Sequence, residues 1–355
     1  MKKLFLDANA HVPMSKSAMK AYFDFEQSDG GWGNPNTSTE IGQKASTVIE
    51  ESRQKIAELL VVKGNNIYFT RGATEACQWA IEIMKSVCGK NYYSAVEHVA
   101  VREPAENDYW EDIPVDSNGV ITRFNFKHNG YKVGASVIHV QNEIGIIEPI
   151  EKIEADVIFS DMCQSIGKIP VQLDKVDIAV MGAHKFGGPT GVAILYLKDT
   201  GFWRPFGTGS RYYMDSPGTP PAGAICAMAA GLSESLLTLQ ERRDRCDVFQ
   251  KELEDRLIDA GIKIIGYGVN RINNTTFIKL PKIALLVLMD LSNIGIYCGL
   301  GSACSKVGHA SKTLNAIGED SDTDSYLRIS QHGEYGKEEA IYFFDCLIKS
   351  IKKFK

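Results

Sequence analysis

Apolar positions along the chain follow two alternating spacings from about residue 48 onward. Helical periodicity over residues 47–62 and 74–87 alternates with short apolar runs, rich in β-branched and aromatic residues, that are typical of strands. The predicted strands cover residues 66–70, 92–96, 137–141, 157–160, 178–180 and 192–197. This alternation predicts an α/β fold in which helices cover a mostly parallel central sheet.

The pattern changes after about residue 225. The elements predicted there are a long helical stretch over residues 225–260, strands over 275–279 and 326–330, and a helix over 283–293. We therefore expect a large domain over residues 12–235 and a smaller α+β domain made of residues 1–11 and 236–355. In this arrangement the extreme N-terminus packs back on the smaller domain.

Composition and charge narrow the class of protein. Of 355 residues, 44% are apolar and 23% are charged, which is ordinary for a globular protein. The longest uninterrupted apolar run, residues 283–289, is far shorter than a membrane span. The acidic residue Asp7 argues against a signal peptide, and the formal net charge of -5 argues against direct nucleic-acid binding. We expect a cytoplasmic protein that has neither a membrane nor a nucleic acid as a direct partner.

The eight cysteines show no CxxC pair and no regular spacing, so neither a zinc site nor a disulfide framework is expected. Seven of them lie in apolar or helical surroundings and are interpreted as small core residues. Cys304 differs because it lies in a small, polar stretch with glycines at 299 and 301.

Polar side chains follow the predicted strands at the points where the strands end. In open α/β sheets, ligands bind beyond the carboxyl ends of the strands. The side chains at these ends are Ala73 and Thr74 at the start of a helix, Glu97 with His98, Asn142, Asp161 with Gln164, and His184 with Lys185. The start of a helix offers free N–H groups to an anion such as phosphate.

Each of these residues has an ordinary alternative, such as a helix cap, a turn or a satisfied packing histidine. Together they offer an anion cradle, a flat aromatic ring, an amide, a carboxylate and an amine at one edge of the sheet. That set fits pyridoxal phosphate, which needs a lysine for its aldehyde, a carboxylate against its pyridinium nitrogen and a phosphate cup. Lys185 is the predicted lysine, and burial beside a cationic ring lowers the pKa of such an amine and makes it nucleophilic.

At this point the sequence resembles the cysteine desulfurases, a branch of the class V aminotransferase group with the type I pyridoxal-phosphate fold. The matching stretches span nearly the whole chain in the order of the family. They are residues 6–10, 33–35, 69–76, 94–98, 142–145, 161–164 with 167–168, 183–185 with 188–189, 218–219, 301–304 and 327–330.

The resemblance implies how the cofactor ring and the substrate are held. His98 would stack on the pyridine ring, Asp161 would pair with its nitrogen, and Gln164 would bond its phenolic oxygen. Asn142 would lie near both that oxygen and the substrate carboxylate. Arg328 would clamp the carboxylate of L-cysteine, a task suited to a bidentate guanidinium.

The resemblance also implies a phosphate site lined by Ala73, Thr74 and His184. Gly182 stands in this site where the family commonly has a serine that donates to the phosphate, so that bond is lost or supplied by the backbone. Thr219 would reach the phosphate of the cofactor in the other subunit, which implies a homodimer.

The catalytic residues implied by the resemblance are Lys185, His98 and Cys304. The Cys304 thiolate would take sulfur from cofactor-bound L-cysteine, leaving L-alanine and an enzyme persulfide, and would pass the sulfur to an acceptor protein. His98 is a plausible acid–base group because imidazole titrates near neutrality.

Two stretches depart from the family pattern. Residues 207–219 lack the usual His-Glu and Arg-rich form, and the stretch after Cys304 is slightly shorter, with His309 and Ala310 replacing Glu-Pro. The inversion of the usual Asn-Ala order at Ala8 and Asn9 has no evident chemical consequence in the sequence. The changes after Cys304 suggest a specialised sulfur acceptor.

Three hypotheses follow. The first is a cysteine desulfurase that supplies sulfur to iron–sulfur assembly, tRNA thiolation or DNA phosphorothioation. The second is a selenocysteine lyase or another class V aminotransferase, for which Cys304 would be dispensable. The third is a non-enzymatic scaffold, which would require a broken catalytic set.

Overall fold

A computed structural model describes residues 3–202, 218–301 and 311–354 of the chain. The strands, in chain order, are β1 (Leu4–Phe5), β2 (Ile67–Thr70), β3 (Lys90–Ser94), β4 (Glu111–Ile113), β5 (Val133–Ser136), β6 (Val157–Asp161), β7 (Ile178–Gly182), β8 (Ala193–Leu197), β9 (Lys263–Ile264), β10 (Thr275–Lys279), β11 (Ile296–Tyr297) and β12 (Tyr326–Ser330). The α-helices are α1 (Lys16–Glu26), α2 (Glu40–Leu60), α3 (Ala73–Val87), α4 (Val99–Asn107), α5 (Ala222–Leu237), α6 (Leu239–Asp259), α7 (Ala284–Asn293), α8 (Lys312–Ala316) and α9 (Lys337–Phe354).

The main sheet of the described residues has seven strands in the order β2-β8-β7-β6-β5-β3-β4. Strand β8 is antiparallel to both of its neighbours, and the other pairs are parallel. The α/β fold with a mostly parallel central sheet is therefore confirmed. Because every strand except β8 runs the same way, the polar residues that follow these strands meet at one edge.

One predicted strand is shifted along the chain. The strand expected over residues 137–141 is found at Val133–Ser136, and the N–H groups of Val137 and His139 after it still donate to β6 before the bridge between Val140 and Ile147. Strand β5 contains Gly134, Ala135 and Ser136, and a Cβ on Gly134 would lie 2.6 Å from Met84 Cε of α3. The strand is therefore poor in apolar side chains. The apolar pattern predicted a strand over the buried residues 137–141, which follow β5 in the chain.

Two helix boundaries also differ from expectation. Helix α2 begins at Glu40, because the Thr39 hydroxyl caps its first turn by accepting from the N–H of Gly42. The stretch expected to be one helix over 225–260 is two helices, α5 and α6, bent by 62°. Within the described ranges no single helix is long and apolar enough to cross a membrane, and α5 and α6 pass that test only when taken together as a bent pair.

A separate hydrophobic cluster surrounds the smaller sheet, β12-β10-β9, and the pair of parallel strands β1 and β11. Leu4 and Leu6 belong to this cluster, together with residues of α6, α7 and α9. The packing of the N-terminal segment here supports the proposed division of the chain at residue 235, which stays a proposal.

Candidate active site

Lys185 ends the short 3₁₀ turn that follows strand β7. Its ammonium donates to two backbone carbonyls, those of Asn9 at 2.7 Å and Ala10 at 2.8 Å. The side chain is only partly exposed, and its amine faces the N-terminal segment. The turn therefore directs this amine to the edge where the strands end.

Asp161 and His98 lie beside Lys185. Asp161 ends strand β6, is 5% exposed, and accepts from the N–H of Cys163 through Oδ1 at 2.9 Å. His98 precedes helix α4 and accepts from the N–H of Ala100 through Nδ1 at 3.2 Å. Burial lowers the pKa of His98, the Asp161 carboxylate opposes that shift, and the Lys185 ammonium reinforces it. A neutral His98 that accepts at Nδ1 carries its proton at Nε2.

The predicted anion site lies at the start of helix α3. Ala73 and Thr74 are its first residues, and Gly72 precedes them with φ 139° and without a side-chain cap. A Cβ on Gly72 would meet nothing within 4 Å, whereas a Cβ on Gly182 would lie 3.4 Å from Ala73 Cβ and 3.6 Å from His184 Cε1. The end of β7, the start of α3 and the His184 ring are therefore close together, and there is open space at Gly72.

A second imidazole lies against His184. The rings of His11 and His184 stack with centroids 5.9 Å apart at 16°. Burial, and then the positive charge of Lys185, lower the pKa of His184 to about 4. The imidazole of His184 is therefore neutral at pH 7 in the absence of an anion. Sequence reasoning assigned no role to His11.

Gln164 is held by two residues that sequence reasoning gave no role. Its Nε2 donates to the carbonyl of Asn9 at 2.8 Å, and its Oε1 accepts from the ammonium of Lys168 at 2.5 Å. Lys168 is 3% exposed, and burial lowers the pKa of its ammonium well below the usual value. The sequence signals were the matching stretch at residues 167–168 and the position of the lysine between Ile166 and Ile169, an apolar setting that is unusual for a charged residue.

Arg328 contacts the main chain of Asn142. Arg328, on β12, is 1% exposed and donates through Nη1 to the Asn142 carbonyl at 3.0 Å and through Nη2 to Asp7 Oδ1 at 2.7 Å. Its buried Nε makes no hydrogen bond to any described residue. The guanidinium is therefore oriented from two sides and retains a donor for a further acceptor.

The remaining predicted residues lie apart from this cluster or outside the described residues. Thr219 is exposed, and its carbonyl accepts from Arg71 Nη2 at 3.2 Å. Cys304 lies outside the described residues. Of the residues described on either side of it, Ser311 donates from Oγ to Glu143 Oε2 at 3.0 Å, and a Cβ on Gly301 would lie 3.2 Å from the same oxygen. Burial raises the pKa of Glu143.

Comparison with known proteins supports a single family. The family model described as Aminotransferase class-V matches residues 4–341. A cysteine desulfurase IscS of Dictyoglomus turgidum is 31% identical over all of this chain and 96% of its own length, and one of Histophilus somni is 30% identical over 99% and 93%. The solved structure of a NifS-like protein superposes with a TM-score of 0.86 at 26% identity and covers all of both chains.

Proposed function

We propose a role in catalysis for each residue of the candidate site, starting from the family to which the chain belongs. The chain is a member of the class V aminotransferase family and, within it, of the cysteine desulfurases. It is a pyridoxal-phosphate-dependent enzyme that removes sulfur from L-cysteine. The observation that carries the proposed site is the convergence of Lys185, Asp161 and His98 beside the open start of α3.

The residues of the site fit the cofactor. The Lys185 amine matches its aldehyde, and the buried Asp161 carboxylate matches a protonated ring nitrogen. The uncapped start of α3, with open space at Gly72, matches a phosphate. When bound, pyridoxal phosphate supplies an electron sink for the electron pair left when an amino acid loses its α-proton.

The side chains at the edge of the sheet then have separate tasks. Lys185 holds the amine that forms the covalent attachment. Asp161 would keep negative charge opposite the ring nitrogen, and His98 would stack on the ring with its proton at Nε2, from which it can be passed on. Gln164 offers an N–H to the phenolic oxygen, because its Oε1 is already occupied by Lys168.

We propose that Arg328 binds the carboxylate of L-cysteine. Replacing it in Arg328→Lys removes the planar pair of donors, and we expect the KM for L-cysteine to rise about tenfold to hundredfold because charge-assisted hydrogen bonds are lost. The change in kcat should be within about threefold, because carboxylate binding is similar in ground and transition states. Steady-state kinetics measure both constants.

The matched control is Arg271→Lys. The side chain of Arg271 is also buried and donates from Nη2 to both carboxylate oxygens of Glu254, at 2.9 and 3.0 Å, and from Nη1 to the Thr275 carbonyl at 3.3 Å, but none of its described hydrogen bonds is to Asn142 or Asp7. Its replacement should leave KM unchanged. An unchanged KM in Arg328→Lys would contradict the assigned role.

Gly182 is a position at which a substitution is expected to increase the affinity for pyridoxal phosphate. Its φ of -81° and ψ of 124° suit any residue, and a Cβ there would make only ordinary contacts. We expect Gly182→Ser to tighten pyridoxal-phosphate binding about threefold to tenfold, because one hydroxyl donor is added beside Ala73 and His184. Titration of the apoprotein measures the change. Gly182→Ala is the control for bulk alone, and equal affinity in the two variants would argue against a phosphate contact.

We propose that the sulfur passes to Cys304 and from there to an acceptor protein. The departures over residues 207–219 and after Cys304 support a specialised acceptor, in iron–sulfur assembly, tRNA thiolation or DNA phosphorothioation. We further propose a cytoplasmic homodimer in which Thr219 contributes to the phosphate site of the partner subunit.

The activity is tested by incubating the protein, loaded with pyridoxal phosphate, with L-cysteine and a reductant. Sulfide and L-alanine are expected in equal amounts, and D-cysteine should yield neither. Transfer of the amino group to a 2-oxo acid, without sulfide, would instead favour an aminotransferase. Turnover of L-selenocysteine but not of L-cysteine would favour a selenocysteine lyase.

A further inference from the structure

Asn9 lies at the centre of the candidate site, although the sequence around it indicated no role. It is 3% exposed, and its main chain makes hydrogen bonds to residues that follow strands of the main sheet and to strand β12 of the smaller sheet. Its carbonyl accepts from Lys185 Nζ at 2.7 Å and from Gln164 Nε2 at 2.8 Å. Its N–H donates to Ser330 Oγ on β12 at 3.0 Å. One carbonyl oxygen therefore holds the amine and an amide of the proposed cofactor site.

The side chain of Asn9 is fixed in one orientation. Its Oδ1 accepts from the ammonium of Lys168 at 3.1 Å and from the amide of Asn274 at 3.3 Å. Its Nδ2 donates to the carbonyl of Asn142 at 3.2 Å and to Thr275 Oγ1 at 2.8 Å. An ammonium can only donate and a carbonyl can only accept, so the reversed amide would lose contacts at both ends.

Lys168 extends this arrangement to Gln164. The two described acceptors of its buried ammonium are amide oxygens, Asn9 Oδ1 and Gln164 Oε1. The same ammonium therefore orients two amides, and each amide then presents a fixed polar atom to the site. Buried polar networks of this kind stabilise one geometry only when every member is satisfied.

We propose that Asn9, acting together with Lys168, is a positioning residue for the cofactor site. It sets the distance between the Lys185 amine and the Gln164 amide, and it ties both to Asn142 and to strands β10 and β12. This inference rests on the proposed function, since the positioned groups are those assigned to pyridoxal phosphate. The inference gives a structural role to the asparagine at position 9. The sequence alone had shown no consequence of the inverted Ala8–Asn9 order.

The experiment measures pyridoxal-phosphate binding to apoprotein by the cofactor's visible absorbance, with melting temperature as a second readout. We expect Asn9→Ala and Lys168→Met each to weaken binding about tenfold, the effect of losing about one net hydrogen bond to a positioned group. The double variant should be weaker than either single variant but by less than the product of their effects, because both act through one network. The visible band of Asn9→Ala should also differ in position or intensity at saturation.

Asn273→Ala is the matched control. Its side-chain amide also makes two hydrogen bonds, to Arg243 O and Asp247 Oδ1, but contacts none of the site residues. This variant should bind the cofactor within about twofold of wild type, since only stability is affected. Equal binding and an equal spectrum in Asn9→Ala and wild type, with a lowered melting temperature, would show a merely structural role and overturn the inference.

A milder variant tests the inference even if Asn9→Ala fails to fold. Thr275→Val removes one hydroxyl that accepts from Asn9 Nδ2, and we expect binding to weaken about twofold to fivefold. Unaltered binding by Thr275→Val and Lys168→Met would also overturn the inference. A wild-type protein that does not bind pyridoxal phosphate would overturn the proposed function itself, so the two failures are distinguishable.

Discussion

Lys185→Ala is expected to lower sulfide production from L-cysteine by about 10³-fold or more, because the variant loses both the covalent attachment and the amine that can move protons at the reacting carbon. The geometry supports this size of effect. The amine lies inside the site, held by the carbonyls of Asn9 and Ala10, next to the Asp161 carboxylate and the His98 ring. Sulfide release is measured with L-cysteine as the substrate.

The variant should still bind pyridoxal phosphate, because the start of α3 and the Asp161 carboxylate remain. Reduction with borohydride followed by mass spectrometry should attach the cofactor to wild type and not to Lys185→Ala. Lys198→Ala is the control, since the side chain of that exposed lysine donates to the Asp174 carbonyl. Covalent attachment that persists in Lys185→Ala would place the reactive amine elsewhere and contradict the site.

Cys304→Ala is expected to lower sulfide and alanine production by about 10²-fold or more while the cofactor and its colour are retained. Thiolates rather than thiols take up sulfur, and most of the other cysteines are poorly suited to this role. Burial raises the pKa of Cys88 and Cys246 to about 12 and that of Cys226 to about 11. Those thiols are protonated at neutral pH.

Cys298→Ala is the control for Cys304→Ala. Cys298 lies six positions earlier in the sequence, but it is buried, and burial raises the pKa of its thiol. Its replacement should leave turnover within about twofold of wild type, because a protonated thiol is a weak nucleophile. Full alanine production by Cys304→Ala would show that sulfur leaves without this thiol, the behaviour expected of a lyase or an aminotransferase.

Most elements of the fold were predictable because their signals are local. The strands that became β6, β7, β10 and β12 were placed to within two residues, since buried strands are short apolar runs bounded by polar or small residues. The error at β5 arose because this strand contains the small residues Gly134, Ala135 and Ser136, so its apolar signal is weaker than that of the residues after it. The break between α5 and α6 was missed because helical periodicity continues across it.

The type of chemistry was also evident in the sequence. A lysine, a carboxylate, an imidazole and a helix start that follow successive strands of a parallel sheet must meet at one edge, so the cofactor could be inferred from residue types and their positions relative to strands. The identity of the reaction depended on the resemblance, and Cys304 depended on it most.

The sequence by itself determined the sheet, the cofactor class and the candidate lysine, because each depends on periodicity or on strand ends. Only the tertiary structure decided that Asp7 orients Arg328 and that Asn9 holds Lys185, since these pairs are separated by 321 and 176 positions. Hydrogen bonds over such distances leave no periodic trace. The partner of a buried carbonyl or carboxylate is the donor that tertiary packing places next to it. Neighbouring residues in the sequence do not determine that partner.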